Sequence, residues 1–248
     1  MGSIDIGGTE WYYEQIPGVD RSSTLVFIHG SGGTHRLWAG QMELGYNSIA
    51  IDLPGHGRSE GLAAASIGEA AANVAEFLIQ MQLPRPLCLV GHSMGAAIAM
   101  SCALHYPNLL DGMVLLGAGQ KMKVMPEMLE ALGLGLTNPD FISLGFSKSA
   151  PPELVAAEIK SFALVSPEVL YADFSACNDF DLSQALGGIA KPTLVIAGAD
   201  DKLTPLKLAD YVASHIPDAR LEVIPDAGHF IMLEKPAEVN RLIQEFIS

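Results

Sequence analysis

Basic residues are scarce in this sequence. Lysine and arginine together number 14 against 28 aspartates and glutamates, a formal net charge of −14 over 248 residues. So acidic a surface repels phosphate backbones and anionic lipid, which argues against nucleic acid and stable membrane anchoring as partners. Cysteine is also rare. Cys88, Cys102 and Cys177 form no CxxC spacing and no Cys/His cluster, so no zinc or iron–sulfur centre is expected. An odd number of unpaired thiols fits a reduced, cytoplasmic protein. Long apolar runs are missing too, and none approaches the ~20 residues of a membrane span. Met1 to Glu10 lacks the basic-then-apolar order of a signal peptide. Ile6 stands where a myristoylation pattern needs serine or threonine.

What is present is a rich globular composition. Hydrophobic residues make up 49% and aromatics only 7%, so aliphatic side chains and alanine must fill most of the core. Short apolar runs alternate with helical patterns. Trp11–Ile16, Thr24–His29, Asn47–Asp52, Leu87–Val90, Gly112–Leu116, Thr193–Ala197 and Leu221–Ile224 read as strands, most of them with both faces covered. Ile67, Ala70, Ala71, Val74, Leu78 and Met81 recur at helical spacing over Ser66–Gln82. Another helix starts near Pro205, and a final one carries Val239, Leu242, Ile243, Phe246 and Ile247. Strand–helix alternation predicts an α/β fold, a mostly parallel sheet covered by helices on both faces.

The rhythm breaks from about Gln120 to Ala190. No strand is convincing there, and three short helical stretches each open at or near a proline: Pro126–Leu132, Pro152–Phe162 and Pro167–Cys177. The expected organisation is a core of residues 1–119 and 191–248 with an all-helical lid, residues 120–190, inserted over the sheet's carboxyl edge.

Gly91-His92-Ser93-Met94-Gly95 fits G-x-S-x-G between an apolar strand and an Ala-rich helix. A serine on so sharp a strand-to-helix turn needs small neighbours two residues either side, and Gly91 and Gly95 supply them. A plain helix cap would also place a serine here, but it would not ask for both glycines. The hydroxyl needs a base to become a nucleophile. Of seven histidines, His229 follows the last strand and so falls on the same sheet edge as Ser93. His29 and His92 look built into their turns, and His105 and His215 lie in helices. A carboxylate must hold the imidazole. Asp200 and Asp201 both follow the TLVIA strand, and composition alone does not choose between them; Asp179 and Asp181 are weaker rivals in the insertion. The strand before offers Gly117-Ala118-Gly119-Gln120, which contains no acid. The backbone amides of Met94 and, from His29-Gly30-Ser31-Gly32-Gly33, of Ser31 are placed to form an oxyanion hole. Nucleotide binding is disfavoured, since His35 replaces the third glycine of G-x-G-x-x-G and no Gly-Lys-Ser/Thr occurs.

Together these segments resemble the lid-bearing branch of the α/β-hydrolase superfamily, over about Thr24 to Phe246. The markers are HGSGG with Trp38, then Asp52-Leu53-Pro54-Gly55-His56-Gly57-Arg58-Ser59, GHSMG, GADDKLTP, and DAGHF with Leu233-Glu234-Lys235-Pro236, in the chain order Ser…Asp…His. The family frame from Gly198 to Pro205 implies Asp201 as the acid. It also implies that the DLPGHGRS segment is a structural turn, so His56 and Arg58 carry no chemistry. The short span between Trp38 and Tyr46 departs from the pattern and implies a trimmed first helix.

The resemblance implies a carboxylesterase with Ser93, Asp201 and His229 as triad, Ser31 and Met94 at the oxyanion, and no metal or organic cofactor. Apolar residues of the insertion (Met122, Met125, Met128, Leu129, Leu132, Leu136, Phe141, Ile142, Phe146) suit an apolar substrate or equally pack the lid onto the core. The insertion holds lysines but no arginine, which weakly disfavours C–C hydrolases and dicarboxylate lactonases that clamp a carboxylate. Lactones, thioesters and a non-catalytic ligand-binding role stay open.

Overall fold

The computed structural model describes residues 1–19 and 23–248. Among the described residues eight strands form one sheet: β1 Gly2–Ile6, β2 Thr9–Ile16, β3 Thr24–Ile28, β4 Asn47–Ile51, β5 Leu87–His92, β6 Gly112–Leu116, β7 Thr193–Gly198 and β8 Ala219–Ile224. Their spatial order is β1-β2-β4-β3-β5-β6-β7-β8. The β1/β2 and β2/β4 pairs are antiparallel and the other five are parallel. The helices are α1 Ile67–Met81, α2 Met94–His105, α3 Pro126–Gly133, α4 Pro152–Phe162, α5 Pro167–Asp179, α6 Leu206–His215, α7 Ile231–Glu234 and α8 Pro236–Ile247. This is the mostly parallel α/β architecture expected from the sequence.

The strands β3 to β7 are buried along their whole length, which is why they read as continuous apolar runs. Their side chains still alternate. Leu25, Phe27, Val90 and Ile196 join the layer under α8, while Val26, Ile28, Leu89 and Val195 join the layer under α1, α2 and α6. One strand escaped the sequence reading. β1 pairs with β2 through a two-glycine turn, Gly7-Gly8, both at positive φ, as a tight hairpin requires. The expected trimming of the first helix is real: a single 3₁₀ turn, His35–Trp38, stands there.

Residues between β6 and β7 form α3, α4 and α5 with short 3₁₀ turns. The two ends of this insertion meet at a β-bridge between Lys121 and Asp181. No helix among the described residues is long and apolar enough to cross a membrane.

The strand order reverses direction between β3 and β5, where β4 lies to one side and β6 to the other. Such switch points open a crevice at the carboxyl edge. The crevice is tight because α2 starts almost against β3. A Cβ on Gly95 would run into the Ile28 carbonyl, and one on Gly91 into the Gly95 carbonyl. Gly91→Ala is therefore expected to cost about 3 kcal/mol through overpacking of backbone that cannot yield. An unchanged midpoint in urea unfolding would contradict this.

Candidate active site

Ser93 sits between β5 and α2 with φ 54° and ψ −114°, a conformation that costs a non-glycine residue roughly 1–3 kcal/mol. Its amide donates to the Leu116 carbonyl at 2.9 Å, and its side chain makes no capping bond to α2. The plain-cap alternative is thus not what the geometry shows. The hydroxyl is free to face the cavity that Ser93 lines.

His229 lines the same cavity. Its Nδ1–H donates to Asp201 Oδ2 at 2.8 Å, with Thr204 Oγ1 at 3.1 Å beside it, which leaves Nε2 for the cavity. Among the described residues no hydrogen bond joins His229 to Ser93 Oγ; such bonds often form fully only with substrate present. Gly117, at the end of β6, lies so close that a Cβ would press on the His229 ring. That leaves no room for a side chain at Gly117 itself.

The two adjacent aspartates are separated by burial: Asp200 is exposed and Asp201 is 6% exposed. Asp201 Oδ1 accepts from the amides of Leu203 (2.9 Å) and Thr204 (2.8 Å), and Oδ2 from the Thr204 hydroxyl (2.7 Å). Burial alone would raise this carboxyl. The positive side of His229 and these hydrogen bonds outweigh burial and hold it below the ordinary carboxylate value. Asp179 and Asp181 are exposed on the insertion, and neither bonds to His229 among the described residues. Thr204 was missed in the sequence; only its position three residues after Asp201 hinted at it.

Ser31 follows β3 and also lines the cavity. Its hydroxyl lies 3.6 Å from Met94 Sδ, so the two loops meet. Among the described residues neither the Ser31 nor the Met94 amide donates a hydrogen bond. The neighbouring Gly32 amide donates to Asp173 Oδ2 at 2.8 Å, and Asp173 belongs to α5 of the insertion. The same carboxylate accepts from His56 Nε2 at 2.9 Å, while His56 Nδ1 donates to the Pro54 carbonyl at 3.0 Å. Both His56 nitrogens donate, so the ring is an imidazolium paired with a buried carboxylate. Burial works against that charge, but Asp173 outweighs it and raises His56 above its ordinary value.

The adjacent histidines go the other way. His29 donates from Nδ1 to the Gly30 carbonyl and accepts the Leu53 amide on Nε2, a neutral ring that burial and the His56 charge push down to about 4. His92 is likewise held neutral, chiefly by burial, and donates from Nε2 to the His229 carbonyl at 3.0 Å. Both are built into their turns, as the sequence suggested. In the DLPGHGRS segment Asp52 accepts from the amides of His35 and Arg58, the work of a structural turn.

The cavity over this edge encloses about 620 Å³, within the usual range for small-molecule sites. The insertion's apolar residues divide. Met122, Met125, Met128, Phe141 and Ile142 line the cavity, whereas Phe146 stacks on Phe230 at 4.7 Å and Leu136 is exposed. The insertion is also pinned beside His229. The Gly145 carbonyl accepts the His229 amide at 2.5 Å, and Glu234 accepts the amides of Ser147 and Gly228. Among the described residues no cluster of three or more His, Cys, Asp or Glu could hold a metal ion.

A serine on a strand-to-helix elbow, facing a histidine–carboxylate pair at the carboxyl edge of a parallel sheet, is the layout of the α/β-hydrolases. The chain belongs to that family: residues 25–242 match the model described as the alpha/beta hydrolase family. It is similar to "Protein ABHD8" of Bos taurus, 28% identical over 246 residues that cover 93% of this chain and 57% of that one. The chain thus spans little more than half the length of that relative. It is also similar to the "Putative carbamate hydrolase RutD" of Variovorax paradoxus (strain S110), 29% identical over 96% of each chain. Among solved structures it resembles a thermophilic esterase, with 33% identity, a TM-score of 0.86, and coverage of 99% of this chain and 96% of that one.

The His56–Asp173 pair generates a stability prediction. Because His56 titrates above its ordinary 6.5 when folded, the pair contributes fully below that pH and is lost as pH rises through the raised value. Asp173→Asn should cost about 3 kcal/mol at pH 6 by leaving a buried cation unpaired. It should also flatten the decline in urea midpoint from pH 6 to pH 9. Equal stability of the two proteins at pH 6 would refute the assignment.

Proposed function

We propose that this protein is a serine esterase that cleaves carboxylic esters of small to medium apolar substrates through an acyl-enzyme. The observation that carries the reading is the convergence of Ser93 and His229 on one cavity, with the imidazole's far nitrogen bonded to buried Asp201.

In this reading His229 Nε2 takes the Ser93 proton as Oγ attacks the ester carbonyl. The tetrahedral oxyanion forms beside the Ser31 and Met94 amides, which have no acceptor of their own among the described residues. Each such donor is worth about 3 kcal/mol in the transition state. Asp201, fixed by three hydrogen bonds besides that from His229, keeps the imidazole's Nδ1 protonated and offsets the charge it gains. The tetrahedral species collapses, His229 passes the proton to the leaving alcohol, and an acyl-Ser93 remains. Water activated by the same histidine then releases the acid. No metal or organic cofactor enters these steps.

Residues 120–190 act as a lid over the core of 1–119 and 191–248, contributing the methionines and phenylalanines that receive the apolar part of the substrate. The three buried free thiols suit a reducing, cytoplasmic setting.

The test is hydrolysis of p-nitrophenyl esters from acetate to decanoate. Turnover should vanish in Ser93→Ala, and Asp201→Asn should lower kcat by roughly 10⁴-fold. Turnover that ignores Ser93→Ala, or none on any ester, would overturn the esterase reading in favour of ligand binding.

A further inference from the structure

The cavity is electrically unlike the rest of the molecule. The chain carries 14 basic and 28 acidic residues, yet five of the bases and a single acid, Glu158, line this one cavity. The cavity lining is therefore cationic inside a protein of net charge −14.

Structural duties account for some of these cations. Lys123 Nζ donates to the Asn178 carbonyl in the last turn of α5, a helix-end cap. Lys121 sits in the bridge with Asp181, whose carboxyl feels both lysines. Lys202 and Lys207 have no such duty. Lys202 lies on the segment joining β7 to α6 and Lys207 just inside α6; both are exposed and free of ion pairs among the described residues. Lys207 stands in the first turn of α6, where a cation opposes the helix dipole and an acid would serve stability better.

A Cβ on Gly119 would press on the Lys121 carbonyl and on Leu208 of α6, so the insertion neck runs beside the start of the helix that carries Lys207. Phe162 of α4 approaches Gly32, and Glu158, one turn earlier on that helix, lines the same cavity. Burial pushes the Glu158 carboxyl above its ordinary value.

We propose that Lys202 and Lys207 form an anion subsite, so that the preferred substrates are esters carrying a second, free carboxylate remote from the scissile bond. The inference rests on the esterase reading for the bond that breaks, though not for the anion subsite itself. Two separate ammonium groups attract a carboxylate as point charges without the bidentate fork of an arginine.

The experiment compares two acyl chains of one length, mono-p-nitrophenyl glutarate and p-nitrophenyl valerate, which differ by carboxylate against methyl. The glutarate ester should show a kcat/KM about tenfold higher at low salt, as expected from two exposed cations. That preference should collapse in 0.5 M sodium chloride, where screening is short-ranged, and in the double variant Lys202→Gln, Lys207→Gln. Lys160→Gln, an exposed lysine of α4 that does not line the cavity, should keep it. In parallel, calorimetry with Ser93→Ala should detect salt-sensitive glutarate binding that the two lysine substitutions abolish.

Ser93-dependent hydrolysis of valerate with no preference for glutarate would overturn the anion subsite and leave the esterase standing. Turnover of neither ester would overturn the esterase. Calorimetry would then decide the subsite alone, and an absence of glutarate binding would overturn that as well.

Discussion

The start of α2 lies against the end of β3 so closely that the Ile28 carbonyl leaves no space for a side chain at Gly95. The chain leaving β5 must therefore turn within one residue, and that residue is Ser93, held at positive φ. Three consequences follow from the one constraint. The hydroxyl is lifted off the helix instead of capping it, the Met94 amide has no acceptor among the described residues, and the Met94 side chain meets Ser31 of the neighbouring loop. Strain of roughly 1–3 kcal/mol at the serine is small beside a core in which five strands are wholly buried.

Buried histidines then complete the edge, and their partners decide what each does. His29 and His92 face backbone groups and stay neutral, tying the β3 loop to the β4 turn and the β5 turn to the His229 loop. His56 faces a carboxylate and carries charge. That carboxylate, Asp173, also holds the Gly32 amide, one residue from Ser31. The insertion is thus fastened at both banks of the cavity, by Asp173 beside Ser31 and by Gly145 beside His229. Asp173 of α5 thus ties the insertion to both the β3 loop and the His56 turn.

Much of this was legible in the sequence because the parallel strands announce themselves as short, wholly apolar runs and the turns between them as glycines. The elbow was legible from Gly91 and Gly95 in that setting, and His229 from its place after the last strand. Asp201 was not separable from Asp200 by residue chemistry; the family frame pointed to it, and in the structure burial and three local hydrogen bonds set it apart. β1 went unread, although Gly7-Gly8 between alternating apolar residues is a hairpin signal. Asp173 and His56 were illegible as a pair. They stand 117 residues apart, and nothing local marks a helix acid as the partner of a turn histidine. The division of the insertion's apolar residues between cavity and packing was equally hidden, since both uses ask for the same side chains.

The central claim is that Ser93 is the nucleophile of a covalent mechanism. The most direct measurement is labelling with a fluorophosphonate followed by peptide mass spectrometry. The account predicts one adduct per chain, on the peptide bearing Ser93, formed more slowly when His229 is replaced by glutamine. An unlabelled protein, or an adduct on any other residue, would contradict it.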